Sequence, residues 1–162
     1  LTGRAKDVII RGGHNIDPCM IENTLEAHPA VAAAAAIGQP DEYAGELPAA
    51  YVQLHPDTDI SADDLRSWAK SRIPERAAAP VYLELMDQLP VTAVGKIYKP
   101  ALRSMAIERV ACSKISDVDP TARVRVTMDE KRGTIVQVTS ERSKDIRKVL
   151  GGFALQFDFC TE

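Results

Sequence analysis

Two stretches of this 162-residue chain carry side chains and backbone suited to act on charged oxygen atoms. The first is Leu89-Pro90-Val91-Thr92-Ala93-Val94-Gly95-Lys96-Ile97-Tyr98-Lys99. Proline, threonine and glycine shape an exposed loop there, and Lys96 stands at its far end beside apolar residues. An ammonium so placed is a compact positive charge with three donors, matched to carboxylate and phosphate oxygens. A solvated lysine after a turn fits the same residues. The stretch is not a phosphate loop of the Gly-x-x-x-x-Gly-Lys-Ser/Thr type, because the first glycine and the hydroxyl are both absent. The second stretch is Gly3-Arg4-Ala5-Lys6-Asp7-Val8-Ile9-Ile10-Arg11-Gly12-Gly13-His14-Asn15-Ile16-Asp17-Pro18. Adjacent glycines let a backbone approach a ligand or take positive φ, and their N–H groups can form an anion-binding nest. A hairpin turn is the alternative, with Asn15 able to cap it through its own side chain.

The surrounding elements must hold these two stretches in place. A strand over 8–10 closes on Gly12-Gly13. Asp17 is an N-cap and Pro18 a first helical residue, where a missing N–H costs little. Ile21, Leu25 and His28 follow at helical spacing until Pro29. Residues 31–37 are rich in alanine, which by propensity favours helix. The run is short, bounded by Pro29 and by Gly38-Gln39-Pro40, and continuously apolar, as a strand buried on both faces should be. A polar loop over 41–46 leads to an apolar strand over 49–54. Ser61 caps a second helix, with Asp64 placed to complete the reciprocal bonds; Leu65, Trp68 and Ala69 face inward, and Pro74 ends it. A strand over 81–86, a loop over 88–95 and a helix over 100–111 bearing Leu102, Ile107 and Val110 complete the unit. The order implies an α+β fold, a small β-sheet packed by two to three helices, ending near residue 112.

After Asp117-Val118-Asp119-Pro120 the pattern changes. Val124, Val126 and Met128 alternate with polar residues, and Ile135, Val136 and Val138 answer them across Asp129-Glu130-Lys131-Arg132-Gly133, a β-hairpin. A short helix over 143–150 and an alternating strand over 153–159 follow. Residues 113–162 thus form a ββαβ extension, near the limit of independent stability and expected to pack on a partner surface.

Composition narrows the function classes. The net charge of -3 argues against nucleic acid or an anionic membrane surface as partner. No apolar run approaches the ~20 residues of a membrane span. Cys19, Cys112 and Cys160 are too scattered for a disulfide framework or zinc site and fit a reducing, cytoplasmic setting. His14, His28 and His55 lack metal-ligand spacing. The start at Leu1-Thr2-Gly3-Arg4, without initiator Met or signal peptide, reads as a piece cut from a longer protein.

Together the two stretches resemble the C-terminal domain of the adenylate-forming superfamily: acyl- and aryl-CoA synthetases, nonribosomal peptide synthetase adenylation domains and beetle luciferases. The likeness runs from residue 1 to about 109. It rests on Gly3-Arg4-x-Lys6-Asp7 with Gly12-Gly13-x-Asn15-Ile16-x-Pro18-x-x-Ile21-Glu22, and on Pro90-x-Thr92-x-x-Gly95-Lys96-Ile97. The resemblance implies a ligase that makes an acyl-adenylate from a carboxylic acid and ATP, then a thioester with coenzyme A, with a place in fatty acid metabolism. A large N-terminal domain would hold ATP, magnesium and the acid, and this domain would be a lid that presents a different face for each step. By that likeness Lys96 is catalytic in the first step, through electrostatic stabilisation. Lys6 is the hinge, Gly12 and Gly13 lie along the coenzyme A path, and Arg4, Thr92 and Gly95 serve interdomain or nucleotide contacts. The lid of a carrier-protein-loading adenylation domain and a non-catalytic α+β binding module are the alternatives. Departures are Met20, where the family often has Glu, which leaves Glu22 a structural role, and Val91, where Lys or Arg is frequent.

Overall fold

A computed structural model describes residues 7–160. Strands β1 (Ile9–Arg11) and β2 (His14–Ile16) form a hairpin, and α1 (Pro18–Glu26) follows. Asp17 caps α1 by accepting the Cys19 N–H at 2.9 Å, with Pro18 in the first turn as the sequence predicts. Strands β3 (Val31–Asp41) and β4 (Gly45–Leu54) run antiparallel as the longest ladder of the sheet. Both overrun the expected bounds. The ladder continues through Gly38 and Pro40 to the pair Asp41↔Gly45, so only 42–44 remain of the predicted polar loop. β3 lies at the free edge of the sheet, where a proline's missing N–H breaks no ladder bond.

Helix α2 (Ala62–Arg72) starts on Ser61, whose Oγ accepts the Asp64 N–H at 3.1 Å and donates to the Asp64 carboxylate at 2.6 Å. A 3-10 turn, Arg76–Ala78, leads to β5 (Tyr82–Met86), which pairs parallel with β4. α1 and α2 cover one face of the sheet, over Ala34, Ala36, Ala50 and Val52. α3 (Lys99–Ile115) covers the other, with Leu102 and Ala106 against Ala35, Ile37, Ala49 and Tyr51. Small alanines alternating to both faces let helices approach from both sides, which is why a run of strong helix formers is a strand here.

Three carboxylates deal with backbone that the sheet leaves unpaired. Glu22 and Glu26, one turn apart on α1, accept the outward N–H groups of Ala36 (2.7 Å) and Ala34 (3.2 Å) on edge strand β3. Glu46 accepts the N–H of Ile10 at 2.9 Å.

The remaining elements are β6 (Arg123–Asp129), β7 (Gly133–Thr139), α4 (Ser143–Leu150) and β8 (Gln156–Cys160), in a separate sheet of order β6-β7-β8. They form the expected ββαβ unit, with β8 parallel to β7. α3 runs through residue 112 and continues to Ile115. Its second half supplies Ile107, Ala111 and Ile115 to the core that Val136, Val138, Ile146, Leu150 and Phe153 complete. Within this chain the extension packs on this helix.

Candidate functional site

Lys96 sits on a miniature hairpin whose geometry the local sequence dictates. Val91 bridges Ile97, the Thr92 N–H donates to the Lys96 carbonyl at 2.7 Å, and the Gly95 N–H donates to the Thr92 carbonyl at 2.9 Å. The three residues between Thr92 and Lys96 make a tight turn ending in Gly95 at φ +77°, the left-handed position that closes such a loop and that L side chains resist. Thr92 Oγ1 also accepts the Lys96 N–H at 3.2 Å. Thr92 and Gly95, expected to contact nucleotide or the neighbouring domain, thus have a first duty in shaping the loop.

Below the hairpin, Leu89 is buried and its N–H donates to the Gln53 side chain at 3.2 Å. Tyr98 closes the stem by donating its N–H to the Pro90 carbonyl at 2.7 Å. Lys99 opens α3 and pairs with Glu22 at 2.8 Å, the two side chains only 17% and 15% exposed. Because Glu22 also holds the Ala36 N–H, this pair clasps α1 to α3 around the free edge of β3. The structural role expected for Glu22 is the one it has. Lys96 is exposed and makes no ion pair among the described residues, while Val91, Val94 and Tyr98 beside it are 51%, 79% and 47% exposed.

Gly12 and Gly13 are the central residues of the β1–β2 turn, at φ +55° and +86°. Two positive φ values in a two-residue hairpin loop define the turn that Gly-Gly favours, so the hairpin alternative holds for the backbone. The nest does not form in this arrangement. Both glycines are left-handed, and the Gly12 N–H is already donated to the Ala44 carbonyl at 2.7 Å. What remains is a bare, exposed backbone corner with no side chain to obstruct an approaching molecule.

Sequence reasoning missed the groove beside that corner. Arg11, Arg66, Lys70 and Arg76 line a cavity of about 350 Å³ with Ser67 and Pro80. Arg66 and Lys70 share a face of α2 by their spacing, but Arg11 arrives from β1 and Arg76 from the 3-10 turn, and nothing local signals that convergence. Arg11 is fixed by donating to the Ala77 carbonyl at 2.6 Å. Next to Ala44, whose carbonyl takes the Gly12 N–H, Tyr43 on the β3–β4 turn is 90% exposed. Arg4 and Lys6 lie outside the described residues. Among the described residues no group of three or more His, Cys, Asp or Glu side chains is placed to hold a metal ion, and no helix is long and apolar enough to cross a membrane.

Comparison with known proteins gives a consistent picture. Residues 20–96 match the family model described as the AMP-binding enzyme C-terminal domain. Over 147 residues the chain is 46% identical to a marinolic acid–CoA ligase of a Pseudoalteromonas species, covering 90% of this chain and 22% of that protein. Among solved structures, a Brucella canis acyl-CoA synthetase superposes with TM-score 0.60 at 35% identity, over 67% of this chain and 20% of the other. The amide bond synthetase McbA from Marinactinospora thermotolerans superposes with TM-score 0.59 at 32% identity, over 65% and 21% respectively. The chain spans about a fifth of the length of the relatives it matches.

Proposed function

Through residues 20–96 the chain belongs to the AMP-binding enzyme C-terminal domain family, and from that premise we propose that it is the lid of an AMP-forming acid–thiol ligase, an acyl-CoA synthetase. In the first half-reaction a carboxylate oxygen attacks the α-phosphorus of ATP; a new P–O bond forms and pyrophosphate leaves. In the second, a thiol sulfur attacks the acyl carbon, the thiol proton passes to solvent, and AMP leaves. The observation that carries this reading is the setting of Lys96: a cation on a stiff hairpin, unpaired among the described residues and ringed by exposed apolar side chains. Such a tip is built to be buried against another surface and to place one charge there. Against an active site on a large N-terminal domain it would stabilise the negative charge gathering on carboxylate and phosphate oxygens.

The second half-reaction uses the other stretch. The bare Gly12-Gly13 corner admits a thin pantetheine arm, and the adjoining groove of Arg11, Arg66, Lys70 and Arg76 suits phosphate groups. Coenzyme A brings several phosphates where a carrier-bound arm brings a single one, so the groove favours coenzyme A as the thiol. Arg4 and Lys6 stand at the start of the lid, in the interdomain and hinge roles. Magnesium, which ATP chemistry calls for, would be held with ATP on the large domain. Three free cysteines support a reducing, cytoplasmic setting.

The test uses the full-length protein with ATP, magnesium, coenzyme A and acetate, octanoate or benzoate as the acid. Lys96→Ala should slow pyrophosphate release by about 10²–10³-fold, the scale of losing one preorganised donor, and spare thioester formation from preformed acyl-adenylate. Equal loss in both half-reactions would remove Lys96 from the first step.

A further inference from the structure

The C-terminal extension has no part in the two half-reactions as described, yet a chain of contacts ties it to the Gly12-Gly13 corner. The end of β3 and the turn after it are gripped at three places, the first by α3 and the next two with residues of the extension. Gln39 accepts from the Arg109 guanidinium at 2.7 Å. Pro40 seats in an apolar crevice with Ile107, Leu150 and Phe153. Glu42 pairs with Lys114 at 2.7 Å, and the chain at Gly152 lies so close that a Cβ built there would stand 3.0 Å from Glu42 Cβ. Phe153, beside Gly152, is buried in the extension's core, so the Pro40 crevice and the close approach at Gly152 depend on the extension being folded.

From the same turn, a second set of bonds leads to the glycine corner. Asp41 accepts the N–H groups of Tyr43 and Ala44 at 3.0 and 2.8 Å, which fixes the turn's shape. The Ala44 carbonyl takes the Gly12 N–H, and Gly45 pairs with Arg11 in the sheet. β1 meets β4 at that single register pair, and beside the buried Ile9 and Ile16, the Glu46 bond to Ile10 and the Arg11 bond to Ala77, the turn is the anchor that holds the glycine end of the hairpin.

We infer that the extension is a positioning element for thioester formation: it braces the β3–β4 turn from behind, and the turn sets the place of the Gly12-Gly13 corner. This rests on the assignment of that corner to the thiol. The brace is a contiguous chain of packed and hydrogen-bonded groups, of the kind through which substitutions distant from a ligand change its binding. It makes Lys114 and Gly152 positioning residues that never touch a substrate. The 46% identity to the marinolic acid–CoA ligase covers 90% of the chain and so takes in most of the extension.

The experiment is done on the full-length enzyme, with acyl-adenylate formed beforehand from whichever of acetate, octanoate or benzoate it activates fastest. Lys114→Met and Gly152→Val should each raise the KM for coenzyme A roughly 3- to 10-fold, leave pyrophosphate release within about twofold, and leave kcat of the second step nearly unchanged. Lys114→Arg should restore the KM. Equal effects on both half-reactions, or no change in KM from either variant, would overturn the brace. Gly13→Val is the companion measurement, since it puts a side chain on the corner itself at φ +86°. If Gly13→Val slows thioester formation while Lys114→Met and Gly152→Val do not, the brace fails and the thiol face stands. If Gly13→Val leaves thioester formation intact, the thiol face falls and the brace with it.

Discussion

Lys96 owes its position to groups other than its own side chain. Its carbonyl and N–H are both held by Thr92, and Gly95 supplies the one backbone conformation that lets the loop close in so few residues. The same division between a group that acts and groups that place it recurs at Tyr82. Its ring carries the Arg109 guanidinium 3.4 Å from the centroid, and its hydroxyl donates to Glu84 at 2.7 Å. Burial first, and then the bond to the Glu84 carboxylate, push the Tyr82 hydroxyl up to about 12. Burial raises Tyr51 as well, in part offset by the Arg109 charge. For an acid whose pKa is higher folded than unfolded, the stabilisation is complete below the unfolded value of about 10 and is lost as pH rises through the folded one. Denaturant midpoints should therefore fall between pH 10 and about 12. Tyr82→Phe should flatten part of that fall, and an unchanged slope in that variant would place the alkaline loss elsewhere.

At the scale of elements, the edge strand β3 is the piece whose management decides the rest. A free edge offers unpaired N–H groups, and here Glu22 and Glu26 occupy two of them while Lys99 clasps Glu22 from the far side of the sheet. Glu22→Gln should therefore cost about 2 kcal/mol in urea unfolding, because it strips a half-buried ammonium of its partner and weakens a backbone bond at once. Asp63→Asn, which breaks an ion pair at an 85% exposed carboxylate, should cost under about 0.5 kcal/mol. Equal costs would mean the clasp is no more than a surface pair. What the residues disclosed in advance follows the same logic. Caps at Asp17 and Ser61, the alanine strand and the Gly12-Gly13 turn were legible because their causes are local: a side chain reaching its own backbone, a period, a required φ. The run of β3 past Pro40 was not legible, since whether a proline interrupts a strand depends on which side of it carries the neighbouring strand. The basic groove stayed hidden for a related reason, being assembled from three elements that meet only after folding.

At the scale of the molecule, three cores are packed around the sheet and the extension, and α3 joins two of them. Leu102 and Ala106 face the core under the sheet and Ile107, Ala111 and Ile115 the core of the extension, so one continuous helix serves both. Glu108 adds a bond from α3 to the Val126 N–H at 2.8 Å. If the helix transmits stability, the extension and the lid unfold together. Ile146 is fully buried in the extension's core, and Ile146→Ala should cost about 3 kcal/mol by cavity formation. The chain's single tryptophan, Trp68, reports from α2, on the sheet face opposite α3, with its ring edge-on to His28 and its Nε1 donating to the Thr24 carbonyl. In a cooperative molecule the Trp68 fluorescence transition should move to lower urea by the full amount that far-UV circular dichroism records for the same variant. A Trp68 transition that stays in place while dichroism loses an early phase would mean that the extension melts on its own. It would then be too weakly coupled to brace the turn that holds Gly12.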